Sequence, residues 1–171
     1  MSVKEKVDDF SKDFDTPSKQ HFQAVYSSHN LIQVVEGVRE QVALAVEKCG
    51  EANPDIKDAI DARYDSWDGA LKPIIKDAEA NVENMILAQD YAKKRDLKNV
   101  LKFVDDARES KDGDIEKFPV TTPKACDYLR VKMDETEETL SRLLESTLVS
   151  LPSALINEIE DAQGEEPVDA Q

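Results

Sequence analysis

The chain has little of the chemistry from which active sites are built. Two histidines and two cysteines are spread through 171 residues. There is no Cys-x-x-Cys-His haem site, no Glu-x-x-His pair of the di-iron bundles and no nucleophile-elbow glycine motif. His21 and His29 lie eight residues apart, roughly on one helix face, without the third and fourth convergent ligands of a zinc site. Asp112, Asp114 and Glu116 fall near a glycine but lack the spacing and final glutamate of a calcium loop. Glycines number five, and no apolar run approaches the roughly 18 residues of a membrane-spanning helix. Residues 1–10 lack the apolar core of a signal peptide. Basic residues are also in deficit, 22 against 37 acidic ones, for a net charge of −15. That deficit argues against direct binding of nucleic-acid phosphates, which needs a basic face. The expectation is a non-enzymatic protein with no catalytic residue, no metal and no cofactor.

What the sequence does contain is helical periodicity. From Asn53 to Lys94, apolar or large residues recur at Ile56, Ile60, Tyr64, Trp67, Leu71, Ile74, Ala78, Val82, Met85, Gln89 and Ala92. Steps of three and four mark one face of a helix, with Gln89 its one polar member. Asn53-Pro54 suits a helix start, and Pro73, four residues after Gly69, predicts a kink rather than a stop. Thr16-Pro17 and Thr122-Pro123 repeat the starting device. A first long helix is expected over Pro17–Cys49, ended by Gly50 as a left-handed residue. A shorter helix follows Asp96 and ends near Ser110; residues 111–121 form the main loop. A last long helix is expected from Pro123 to about Ser150, facing inward through Cys126, Leu129, Met133, Thr136, Leu140, Leu143, Leu144, Thr147 and Leu151. Pro152 ends it, Ser153 caps a short helix over Ala154–Asp161, and the polar, acidic end of the chain is expected to be disordered.

The fold expected is therefore all-α: an antiparallel, up-down bundle of about four helices with short terminal helices. It divides into an amphipathic arm over 1–15, a bundle over 16–162 and an acidic tail over 163–171. In such a bundle Cys49 ends the first long helix and Cys126 lies in the first turn of the last, at the same end. A disulfide between them is geometrically natural and would be worth roughly 3–4 kcal/mol in the chain-entropy account. Two buried free thiols are the alternative. Tyr64 and Trp67 share a face and form either a wall for a ligand or, more simply, core packing. Asp134, Glu135, Glu137 and Glu138 gather on the outer face of the last helix, as an acidic binding face or a solvated one. Between Asp134 and Asp169 there are eleven acids and one base, Arg142.

Cys49, the Pro54 helix start, Tyr64-Asp65-Ser66-Trp67 and the Thr-Pro-Lys-Ala-Cys126 start resemble small exported helical proteins of proteobacteria, whose function is unassigned. The likeness covers residues 45–130. It implies export and a disulfide, and carries no activity or catalytic residue. Localisation follows the thiols: a periplasmic or secreted mature form if they are bridged, the cytoplasm if Met1 is native and they are reduced. The function expected is binding, to a basic protein partner in the manner of an inhibitor, immunity protein or chaperone. The alternatives are a small-ligand carrier using the bundle interior near Trp67 and an acidic DNA mimic.

Overall fold

In the computed structural model, which describes residues 1–113, 118–150, 152 and 157, the chain is an all-α bundle. Among the described residues five α-helices occur in order: α1 (Val3–Ser11), α2 (Thr16–Ala52), α3 (Lys57–Ala88), α4 (Lys94–Gly113) and α5 (Pro123–Leu144). A six-residue π-helical segment, Glu145–Ser150, continues α5. The short helix expected over 154–161 and the tail beyond it lie outside the described residues, apart from Asn157.

Direction alternates between successive long helices. α2 and α3 are antiparallel and joined by a tight connection, with Arg39 of α2 donating to Asp68 of α3 at 2.8 Å. α4 returns alongside α2: Tyr91, just before it, meets His21, Asp105 meets His29, and Arg108 meets Asn30. α5 starts beside the α2–α3 connection and descends with α3, so that Arg63 reaches Glu137 at 2.8 Å. α1 lies along α4, with Lys6 over the Phe103 ring, and its end docks aromatically on the bundle. Phe10 stands 5.2 Å from Phe22, and Phe14 stands 4.8 Å from Tyr91, between ring centroids.

Burial follows the helical spacing for most of the chain. α2 contributes Phe22, Val25, Ile32, Val46 and Cys49; α3 contributes Ile60, Trp67, Leu71, Ala78, Val82 and Met85. Several boundaries differ from the sequence reading. Asn53 does not start a helix; it ends α2, and its side-chain amide donates to Cys49 O at 3.2 Å and to Thr121 O at 2.9 Å. The amide thus ties the end of α2 to the segment just before α5. α3 then begins at Lys57 without a side-chain cap. Gly50 is helical and not left-handed, and no described glycine has a positive φ. Its use is closeness: a Cβ there would lie 2.9 Å from Lys57 Cγ.

α3 continues through Pro73 to Ala88 and stops there. Gln89 explains the stop. Its side chain donates to Ala92 O at 2.9 Å and accepts from Ala92 N at 3.0 Å, a closed local loop that replaces helical bonding. The polar member of the apolar face is thus a buried turn-former, and the chain bends over 89–93. Val38 of α2 is 45% exposed. In α5 and its continuation Met133, Leu144 and Leu148 are buried, whereas Leu143 is 59% exposed and Thr136 is exposed, so the inward face runs through Met133, Glu137, Leu140, Leu144 and Leu148.

The two cysteines are bonded, Cys49 to Cys126, with Cα atoms 5.8 Å apart and both side chains almost wholly buried. The bond spans 77 residues of sequence, enclosing α3 and α4. Replacing both cysteines by alanine should lower unfolding stability by about 3–4 kcal/mol in chemical denaturation. A loss below about 1 kcal/mol would show that packing alone sets the start of α5.

Candidate functional site

Three side-chain clusters tie the helices together. Between α2 and α3, Arg39 bonds Asp68 and Glu36, and the Asp68 hydrogen bond is the chief reason its guanidinium is held still more firmly protonated. Tyr64 lies against this cluster; burial, with the Asp68 carboxylate added, pushes its phenol above the ordinary value. Between α3 and α5, Arg63 donates to Glu137 at 2.8 Å and to Met133 O at 3.3 Å, and Ser66 donates to Glu137 at 3.0 Å. Between α2 and α4, His29 Nε2 lies 2.9 Å from both oxygens of Asp105, which Arg108 also contacts at 3.3 Å.

The acidic quartet of α5 divides. Glu137 is partly buried and structural, held by Arg63 and Ser66. Asp134 is 3.9 Å from Arg63; Glu135 bonds Lys132 at 2.6 Å; Glu138 bonds Arg142. The last three carboxylates remain exposed, and exposed pairs of this kind are weak and exchangeable.

Tyr64 and Trp67 stack at 6.2 Å with planes tilted by 36°, and Trp67 is 4% exposed. The indole N–H is buried without a partner among the described residues. Neither ring lines any of three open spaces found among the described residues. One, of about 120 Å³, adjoins the disulfide between Asn53, Ile60, Cys126, Asp127 and Arg130. Another, of about 440 Å³, separates the start of α1 from Phe103, Ala107 and Lys111. The third, of about 350 Å³, lies between α2, α3 and α4 beside the His29–Asp105 pair. That pair joins residues 76 apart, and no local pattern in the sequence marks it. Among the described residues no three His, Cys, Asp or Glu side chains converge to hold a metal, and no helix is long and apolar enough to cross a membrane.

No known protein family, curated protein or solved structure matches the chain.

His21 contributes a pH dependence. Its Nδ1 is 2.8 Å from the Tyr91 hydroxyl, and burial pushes the imidazole below its ordinary value. Burial also raises the Tyr91 phenol strongly, so its hydroxyl stays protonated and donates to a neutral His21. The unfolded histidine takes up a proton near pH 6.5, the folded one only lower, so the unfolded state binds more protons in that window. Stability is therefore full above about pH 6.5 and falls as pH drops through and below it. His21→Gln should flatten the fall in Tm between about pH 7.5 and 5.5. An unchanged slope would assign the titration elsewhere.

Proposed function

We propose that this protein acts by binding, without catalysis, and that its partner is a basic protein held on its acidic surface as by an inhibitor, immunity protein or chaperone. One observation carries the reading. All six arginines, Arg39, Arg63, Arg95, Arg108, Arg130 and Arg142, are already paired with carboxylates. Glu40 and Glu47 on α2, and Asp58 and Asp65 on α3, are exposed and have no cationic partner among the described residues. Each pair is spaced i, i+7 and so shares a helix face. The arginines are paired with the chain's own carboxylates while these four carboxylates face outward, which supports attraction of lysine- and arginine-rich surfaces and repulsion of phosphate backbones. The exposed Asp134, Glu135 and Glu138 of α5 border this surface, with Lys132 and Arg142 standing beside Glu135 and Glu138.

The reading predicts salt-sensitive capture. Protein immobilised at low ionic strength should retain basic proteins from an extract of its native host and release them as salt rises, since screening shortens to about 3 Å at 1 M. Replacing Glu40, Glu47, Asp58 and Asp65 by their amides should lower the salt needed for release. Retained proteins without basic bias, or release indifferent to salt, would remove the proposal.

The site of action we propose is the periplasm or the extracellular space, since a buried disulfide bracing the bundle is the signature of an oxidising compartment. Intact-mass counting of thiols in protein isolated from its host and denatured should find none without reductant and two with it. Two free thiols before reduction would place the protein in a reducing compartment.

A further inference from the structure

The cleft of about 350 Å³ between α2, α3 and α4 has an apolar floor and a charged rim. The floor is Ile32, Val82, Ile86 and Leu101, all buried. On the rim, charges are unequally satisfied. Lys98 is held by Glu83 at 2.7 Å, and Lys102 by Asp106 at 2.8 Å. Asp105 is shared by His29 at 2.9 Å and Arg108 at 3.3 Å. Glu79 also lines the cleft and has no cationic partner among the described residues. Each lysine over the floor thus has a carboxylate partner in an exposed, weak pair, and the carboxylate without a cation is Glu79.

We propose that this cleft binds a small amphipathic amine, a primary ammonium head on an apolar body. Glu79 takes the head in a charge-assisted hydrogen bond, and the four apolar side chains take the body. The volume lies at the small end of ligand cavities, about 300–1,000 Å³, which suits a short alkyl or single-ring amine and excludes a membrane lipid. An anionic amphiphile would have to displace Glu83 from Lys98, or Asp106 from Lys102, and then sit against Glu79. A neutral one gains the floor but not the head contact. The inference is independent of the acidic-surface reading: its ligand is a small molecule, and none of Glu40, Glu47, Asp58 and Asp65 lines the cleft.

The probes are n-hexylamine, n-hexanol and hexanoate, titrated to about 10 mM into the full, disulfide-intact chain while backbone amide NMR shifts are followed. Hexylamine should move the amides of Ile32, Glu79, Val82 and Leu101 saturably, hexanol the same amides more weakly, and hexanoate none. Glu79→Gln removes an exposed charge and should leave the free spectrum otherwise intact. It should weaken hexylamine about tenfold, or about 1.4 kcal/mol, to the level of hexanol. Hexanoate binding as well as hexylamine overturns the proposal. So does an unchanged affinity in Glu79→Gln, and so do hexylamine shifts scattered over acidic side chains without saturation at the cleft.

Discussion

The structure depends on the antiparallel pairing of α2 with α3 and on the covalent bond that fixes α5 to its closed end. α2 and α3 alone would bury one apolar stripe each and leave the rest of their faces to water. The Cys49–Cys126 bond places the first turn of α5 against the α2–α3 connection, where Asn53 bridges Cys49 O and Thr121 O. From that point the direction of α5 is set by what it meets on α3. Arg63 and Ser66 converge on Glu137, and Leu144 and Leu148 close over the core further along. Because the loop between the cysteines contains α3 and α4, the bond restricts the unfolded chain as well as the folded one.

Charge is arranged to serve the same contacts. Three arginines sit where helices meet: Arg39 between α2 and α3, Arg63 between α3 and α5, and Arg108 between α4 and α2. A guanidinium suits such seams because it donates in several directions from one plane and keeps its charge when partly buried. The remaining arginines and most paired lysines bond within their own helix, as Arg130 does with Asp127 and Lys132 with Glu135. In a chain with so large an acidic excess, outward carboxylates such as Glu40, Glu47, Asp58 and Asp65 have no cationic partner among the described residues. The protein's net charge is thereby concentrated at its surface.

How far the sequence reveals this depends on the range of each interaction. The long helices are legible because their apolar spacing repeats over many turns. The cysteine pairing is legible because alternating helix directions bring both residues to one end, whatever the detail between. Features that rest on one side chain finding an unforeseen partner are not. Asn53-Pro54 looks like a helix start, yet Asn53 spends its amide on the end of α2. Gln89 reads as a polar intruder on an apolar face, yet it builds the turn that separates α3 from α4. In α5 steps of three and four fit two neighbouring faces, and the one through Leu144 and Leu148 turns inward while Thr136 and Leu143 stay exposed. His29 and Asp105 are 76 residues apart and meet only because of the line α4 takes across α2.

The same line explains why the open cleft lies beside α4 and not at Trp67 or Pro73. α2, α3 and α5 share a dense seam in which Trp67, Leu71 and Leu144 are all buried. α4 is claimed from two sides. Leu97, Val100, Leu101 and Val104 point into the bundle, while Phe103 faces α1 beneath Lys6. Its seam with α2 and α3 is pinned at the margins by polar bonds, His29 to Asp105, Arg108 to Asn30 and Lys98 to Glu83. Such bonds have preferred lengths and hold the backbones apart, whereas apolar contacts tighten until the gap is filled. A helix held by ion pairs at its edges and by a second helix at its back leaves a space over Ile32, Val82 and Ile86 that no side chain of the described bundle fills. The cleft is thus a consequence of how α4 is attached, and its one uncompensated carboxylate gives it a chemical preference.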